Sequence, residues 1–170
     1  MIHEAKASEE QVTRHQISVV VERRLVEGSR WETEHSEVVG VISGRDSTDE
    51  EFEVKRIHGD NNSAQYLWSG FFLELFQDDA ESYYFNLRGD EPKVFVICRR
   101  DDEDGLKPFL VTLSYDEASS YMEVEDDVFS VPIPQDVYEW VERYVVNNYE
   151  PQPLKKRKRI KWVEEAGRRD

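Results

Sequence analysis

The side chains able to do chemistry in this 170-residue chain are scattered. Its four histidines, His3, His15, His35 and His58, include no pair at helical or hairpin metal spacing. His35 and Glu37 would share one face of a regular strand, which offers two ligands where zinc takes three or four. The acidic run DDEDG, Asp101–Gly105, raises calcium, because an EF-hand loop sets oxygen ligands at positions 1, 3 and 5 before its glycine. Counting back from Gly105 puts Arg100 at the first of these and Asp102 and Asp104 at the others. No helix leads in and no glutamate closes the loop, so it reads as a solvated hairpin tip that discourages edge-to-edge pairing. The single cysteine, Cys98, lies in the apolar run KVFVIC with no base beside it, and reads as a small buried hydrophobe. It cannot form an internal disulfide, which agrees with a reducing compartment. Glycine-rich phosphate loops, G-x-S-x-G elbows and Cys-x-x-Cys pairs are missing from the sequence. These residues predict no catalytic group, no metal site and no cofactor.

Charge carries the strongest signal. The net charge of −15 divides into −20 for residues 1–154 and +5 for residues 155–170. The break falls in PLKKRKRIKW, Pro153–Trp162, where five basic residues run without interruption. Such blocks commonly serve as interaction tails. Nucleic acid is one reading, opposed by an acidic body that repels phosphate backbones over about 8–10 Å. A membrane role wants an amphipathic face, and Ile160, Trp162 and Val163 give only a trace of one. Docking on an acidic protein surface, the chain's own or a partner's, suits the charges best. Lys155, Lys156, Arg157, Lys158, Arg159, Lys161 and Trp162 are therefore the expected partner-binding residues. Two dibasic steps, Arg23–Arg24 and Arg99–Arg100, read as neutralising nearby carboxylates or as a small anion patch.

These groups must be carried by a β-rich body. QISVVVERRL, 16–25, reads as a strand, followed by a long strand or two shorter ones over 31–43 on a single parity. Strands are expected at 51–57, 65–76, 82–89, 93–100 and 106–115, separated by turn clusters such as GDNNSA. Gly70, between bulky neighbours, marks a bulge or close backbone approach. Ser114 and Glu117 form a capping box opening a short helix to Met122. PIPQDVYEWVERYVVNNY predicts a helix over 134–149 with an apolar stripe of Val137, Trp140, Val141, Tyr144, Val145 and Tyr149. The fold class expected is α+β: a curved antiparallel β-meander or small barrel of about seven strands, then a short helix and a C-terminal amphipathic helix. Tyr66, Trp68, Phe72 and Tyr84 would line a barrel mouth able to take a small molecule. Residues 1–15 read as a mobile leader, 16–150 as one domain and 151–170 as a basic tail. With no apolar run near the ~20 residues of a membrane span and no secretory pattern, the expected location is cytoplasmic.

Several stretches together resemble a known family: SVVVERR and SRWE, VVGVISG, YYFNL, KVFVICRR, FLVTLSYDEASSYME, and VPIPQDVYEWVERYV leading into KKRKR. They look like a bacterial family of unknown function whose genes lie in formate dehydrogenase clusters, over roughly residues 16–160. Members are sometimes labelled molybdopterin-guanine dinucleotide biosynthesis proteins. That label implies a doubly wound α/β domain with an N-terminal glycine-rich loop, and here acidic loops join the N-terminal strands instead. The resemblance implies a non-enzymatic accessory, assembly or small-subunit protein, with a subunit of a molybdenum- or tungsten-dependent formate dehydrogenase as partner. The alternative expectation is a nucleic-acid-binding module using the basic tail.

Overall fold

QISVVVERRL concentrates β-branched side chains, which fit a pleated surface, and it forms the middle of β1 (Arg14–Val26). The computed structural model describes residues 13–26, 33–44, 52–102 and 105–153; leader residues 1–12, Trp31, the acidic loop 45–51 and the basic tail from residue 154 lie outside them. β1 pairs antiparallel with β2 (Thr33–Ser43) on one edge and with β4 (Ser63–Glu74) on the other. β3 (Glu53–Gly59) adds to the outer edge of β4, so the order is β2-β1-β4-β3 rather than that of a meander. The β3–β4 hairpin turns on Asp60, whose carboxylate accepts the backbone N–H groups of Asn62 and Ser63 at 2.8 Å each.

A second sheet follows, ordered β6-β5-β7. β5 (Lys93–Asp101) and β6 (Gly105–Thr112) form the hairpin expected around the DDEDG tip, with Asp101 opposite Gly105. β7 (Asp127–Pro132) joins the other edge of β5. β2 runs beside β7 and β4 beside β6, but no ladder crosses either seam. The α+β class with seven antiparallel strands is as expected, and the barrel is not closed. β3 occupies the outer edge of β4 from Ala64 to Ser69, and no ladder joins the rest of that edge to β6.

Bulges set which side chains enter the core. Ser69 and Gly70 of β4 together face Ser18, and Gly70 has φ +99°, open to glycine at no steric cost. In β2 an extra residue opposite Val20–Val21 moves the inward set from Ser36 and Val38 to Val41. The single parity expected along this strand therefore does not hold. The core joins Ile17, Val19 and Val21 to Leu73, to Val94, Val96 and Cys98 of β5, and to the helical stripe Val137–Val145. β5 is buried on both faces, since Phe95 on its other side stacks edge-on against Tyr115 at the start of α2 (Tyr115–Met122).

Two assignments are corrected. SYYFNLRG is not a strand, because residues 80–88 form α1 (Ala80–Arg88). Its β-favouring aromatics conceal a helical stripe, Ala80, Tyr83, Tyr84 and Leu87, which packs on the core. The seventh strand is instead β7, whose Phe129 and Val131 turn inward in alternation. α3 (Gln135–Asn148) occupies the predicted C-terminal helix, with Pro134 as its N-cap. The capping box of α2 is relayed through a third residue: Ser114 Oγ accepts the Glu117 N–H at 3.2 Å, while Thr112 Oγ1 accepts the Ser114 N–H at 3.1 Å and donates to Glu117 Oε2 at 2.6 Å.

Asn86 fixes α1 to the second sheet. Its amide N–H group donates to the carbonyls of Lys93 and Leu113 at 2.8 and 2.9 Å, and its Oδ1 accepts the Lys93 N–H at 3.0 Å. Asn86→Ala leaves three backbone groups without this partner, and at about 1–3 kcal/mol for an unsatisfied buried group it should cost on the order of 3 kcal/mol in urea denaturation. An unchanged midpoint would show that the clamp is not needed.

Candidate functional site

The β4–β6 seam holds the most developed surface feature among the described residues. β3 pairs with β4 only as far as Glu53 opposite Ser69, and among the described residues no strand pairs with the outer edge of β4 beyond that point. An open cleft of about 740 Å³ there is lined by Phe52, Trp68, Pro108 and Phe109, with Arg99, Arg100 and Lys107 at its rim. A second cleft of about 310 Å³ continues past Phe72, Phe76 and Val111. Phe52 and Phe109 line both, forming a shared aromatic ridge. Phe52 is 70% exposed while its ring meets the buried Phe71 edge-on at 5.2 Å, so it stands on the core without being covered.

Cations sit on these rings and are already matched. The Arg99 guanidinium lies 4.0 Å from the Phe109 ring centre and 3.4 Å from Asp126. Arg100 pairs with Asp127 at 2.7 Å, Lys107 with Asp101 at 3.3 Å, and Arg14 caps Phe72 at 3.7 Å. Arg23 likewise meets Glu34 at 3.6 Å, and Arg24 donates to Glu22. Both dibasic steps thus neutralise carboxylates of the chain itself. A surface of aromatic rings, arginine planes and balanced charge matches the composition of protein-interface hot spots.

The four aromatics expected at a barrel mouth do not share a cavity. Trp68 lines the seam cleft and Tyr66 a smaller recess beside Arg23, while the bulge at Gly70 turns Phe72 to the Arg14 side. Tyr84 stands on α1 and stacks on Tyr149 at 4.9 Å. Phe52 and Phe109, which form the ridge, were missed as site residues. Their signal is weak, since each reads as one more apolar position of a strand. The expected partner-binding residues Lys155–Arg159, Lys161 and Trp162 lie outside the described residues.

One constellation has the residue types of a hydrolase. His15 Nε2 is 2.7 Å from Ser43 Oγ and 3.7 Å from Asp136, and Ser43 donates to Asp136. In a nucleophilic triad the carboxylate and the hydroxyl address opposite ring nitrogens. Here both address Nε2, so the imidazole cannot be oriented by one while activating the other. With the His15 ring 5.0 Å from that of Trp140, the three residues fasten the start of α3 to the ends of β1 and β2. His35 and Glu37 are 3.9 Å apart on the surface. Among the described residues no three His, Cys, Asp or Glu side chains are grouped to hold a metal ion, and no helix is long and apolar enough to cross a membrane.

Fold and surface define a two-sheet α+β domain whose developed feature is an open aromatic cleft at a sheet seam. Residues 16–158 match the family model described as Protein of unknown function (DUF3305), and the chain belongs to that family. Neither the curated proteins nor the solved structures yield a match.

Two titrating groups give direct tests. Glu22 is nearly buried, and the Arg24 hydrogen bond holds its carboxyl below the usual range against the opposing cost of burial, helped by Gln65 at 3.4 Å. A carboxyl depressed on folding stabilises above its unfolded pKa, and that stabilisation is lost as pH falls through the folded value. The stability gap between wild type and Glu22→Gln should therefore be widest near pH 7 and close toward pH 3. Cys98 is wholly buried, and burial pushes its thiol up to about 12. It should resist a thiol-specific disulfide reagent at pH 8 until the chain is unfolded; rapid stoichiometric labelling of native protein would contradict this.

Proposed function

We propose that this protein is a non-enzymatic accessory, an assembly factor or small subunit, that acts through protein–protein contacts. The observation that carries the reading is the Phe52–Phe109 ridge, an exposed aromatic surface rimmed by arginines whose charges are already met. Phosphate would require cations free to release their counterions, whereas a protein surface of aromatic and aliphatic side chains requires what the ridge offers. The arrangement of His15, Ser43 and Asp136 supports a structural rather than a catalytic use of those residues. The partner proposed is a molybdenum- or tungsten-dependent formate dehydrogenase, on the strength of the resemblance over residues 16–160. The basic block Lys155–Arg159, with Lys161 and Trp162, supplies a second, electrostatic contact that speeds encounter with an acidic partner.

The test is direct binding between the purified chain and the formate dehydrogenase purified from the same organism. Phe52→Ala should weaken binding at least about tenfold, the scale of a hot-spot truncation, while far-UV circular dichroism stays unchanged. Failure of the wild-type chain to bind removes the dehydrogenase reading, and binding indifferent to Phe52→Ala removes the ridge. Retention on duplex DNA that declines with salt at a slope of roughly −0.9 per phosphate would instead establish the nucleic-acid reading.

A further inference from the structure

A separate cleft of about 490 Å³ opens between α1 and α2, over β5. Phe85, Phe95 and Tyr115 give it an apolar floor, and Phe85 and Tyr115 are 61% and 56% exposed. Its charged residues are Glu81, Glu91 and Asp116, and among the described residues no lysine or arginine lines it. The seam differs, since Arg99, Arg100 and Lys107 line it and are paired with Asp126, Asp127 and Asp101. The remaining polar lining is engaged within the fold: Ser82 bonds Ser114 at 3.1 Å, and Asn86 clamps Lys93 and Leu113. Just before α1, the Asp79 carboxyl is pushed above the usual range, by burial first and then by Asp78 and Asp116. The field at this end of the two helices is negative.

α3 ends against α1, the helix whose Glu81, Ser82, Phe85 and Asn86 line this cleft. Tyr149 stacks on Tyr84 at 4.9 Å, and its hydroxyl is pushed above the usual range by burial first and then by the carboxylate of Glu81, which lines the cleft. Pro151 and Pro153 follow in exposed, irregular chain, and the described residues stop at Pro153. Lys155–Arg159 come six to ten residues after Tyr149. At roughly 3.5 Å per extended residue they reach about 20–35 Å from it. α1, whose face forms one wall, is only about 14 Å long at 1.5 Å per residue. A short tether also holds the block at an effective concentration in the millimolar range, so individually weak ion pairs suffice.

We infer that the cleft between α1 and α2 is the docking site for the chain's own basic block, Lys155–Arg159, held against Glu81, Glu91 and Asp116 over the Phe85–Tyr115 floor. Docked in this way, the block is masked until a more acidic surface competes for it. The inference stands apart from the seam ridge and does not require the dehydrogenase as partner.

Carbodiimide joins lysine to carboxylate only where the two touch. Applied to the dilute full-length chain at low salt, it should link Lys155, Lys156 or Lys158 to Glu81, Glu91 or Asp116 within the monomer, as read by peptide mass spectrometry. Those links should fall at least fivefold in 1 M salt, where the screening length is about 3 Å. In Glu91→Lys/Asp116→Lys, the links to the remaining Glu81 should fall by a similar factor, with unfolding midpoint as the control for folding. Phe52→Ala should leave them unchanged, which separates this result from that of the seam ridge. Links scattered over Glu37, Glu53 and Glu142, or none at all, would overturn the inference. Links confined to a cross-linked dimer would assign the cleft to a second copy's tail instead.

Discussion

Ser69 and Gly70 together face Ser18 alone, and that extra residue decides which side of β4 each following side chain takes. Before the bulge, Trp68 is on the inward parity and packs on the core; after it, Phe71 and Leu73 do. Phe72 is turned the other way, under the Arg14 guanidinium. Without the bulge, Leu73 would change faces with Phe72, and the most apolar strand would offer its aromatic edge to the core. The bulge falls where the β3–β4 ladder reaches its last pair, Glu53 opposite Ser69, and the clefts open beside that point. The seam is thus a product of strand register as much as of side-chain chemistry.

The charges contribute differently. Pairs such as Arg100–Asp127 and Lys107–Asp101 join side chains that are about half exposed. Exposed pairs of this kind are worth about 0–1 kcal/mol. Their effect is to set the pattern of the surface: cations drawn onto aromatic rings at the seam, carboxylates left together between α1 and α2. Stability comes from the apolar interior, where β5 is covered on both faces and the stripe of α3 joins the same buried cluster. An acidic chain can in this way keep one balanced face and one negative face on a single core.

What was legible in the sequence follows from how locally each feature is determined. β1, the β5–β6 hairpin, the Gly70 bulge and α3 were readable because period, turn chemistry and glycine lie within a few residues of one another. α1 was not, because Tyr83, Tyr84 and Phe85 favour strands individually, and only the spacing Ala80, Tyr83, Tyr84, Leu87 reveals the helix. β7 is six residues long and shows its alternation only at Phe129 and Val131. The seam ridge was beyond local reading. Phe52, Trp68 and Phe109 come from the approach to β3, from β4 and from β6, and become neighbours only where the two sheets meet. The basic tail was the plainest sequence signal, whereas no local pattern announces the cleft between α1 and α2.

The pairing of β1 with β4 has a temporal consequence. Arg14 meets Glu74 and Arg24 meets Ser63, so one whole edge of β1 waits for a strand synthesised some forty to sixty residues later. β2 can occupy the first edge early, as a hairpin partner. The other edge, with Val19 and Val21 beside it, stays bare while the chain grows, an interval of seconds at about 5–20 residues per second. Unpaired apolar edges invite pairing with neighbouring chains. During those seconds the acidic excess of the emerging chain opposes such encounters by like-charge repulsion, before any fold is there to cover the edge.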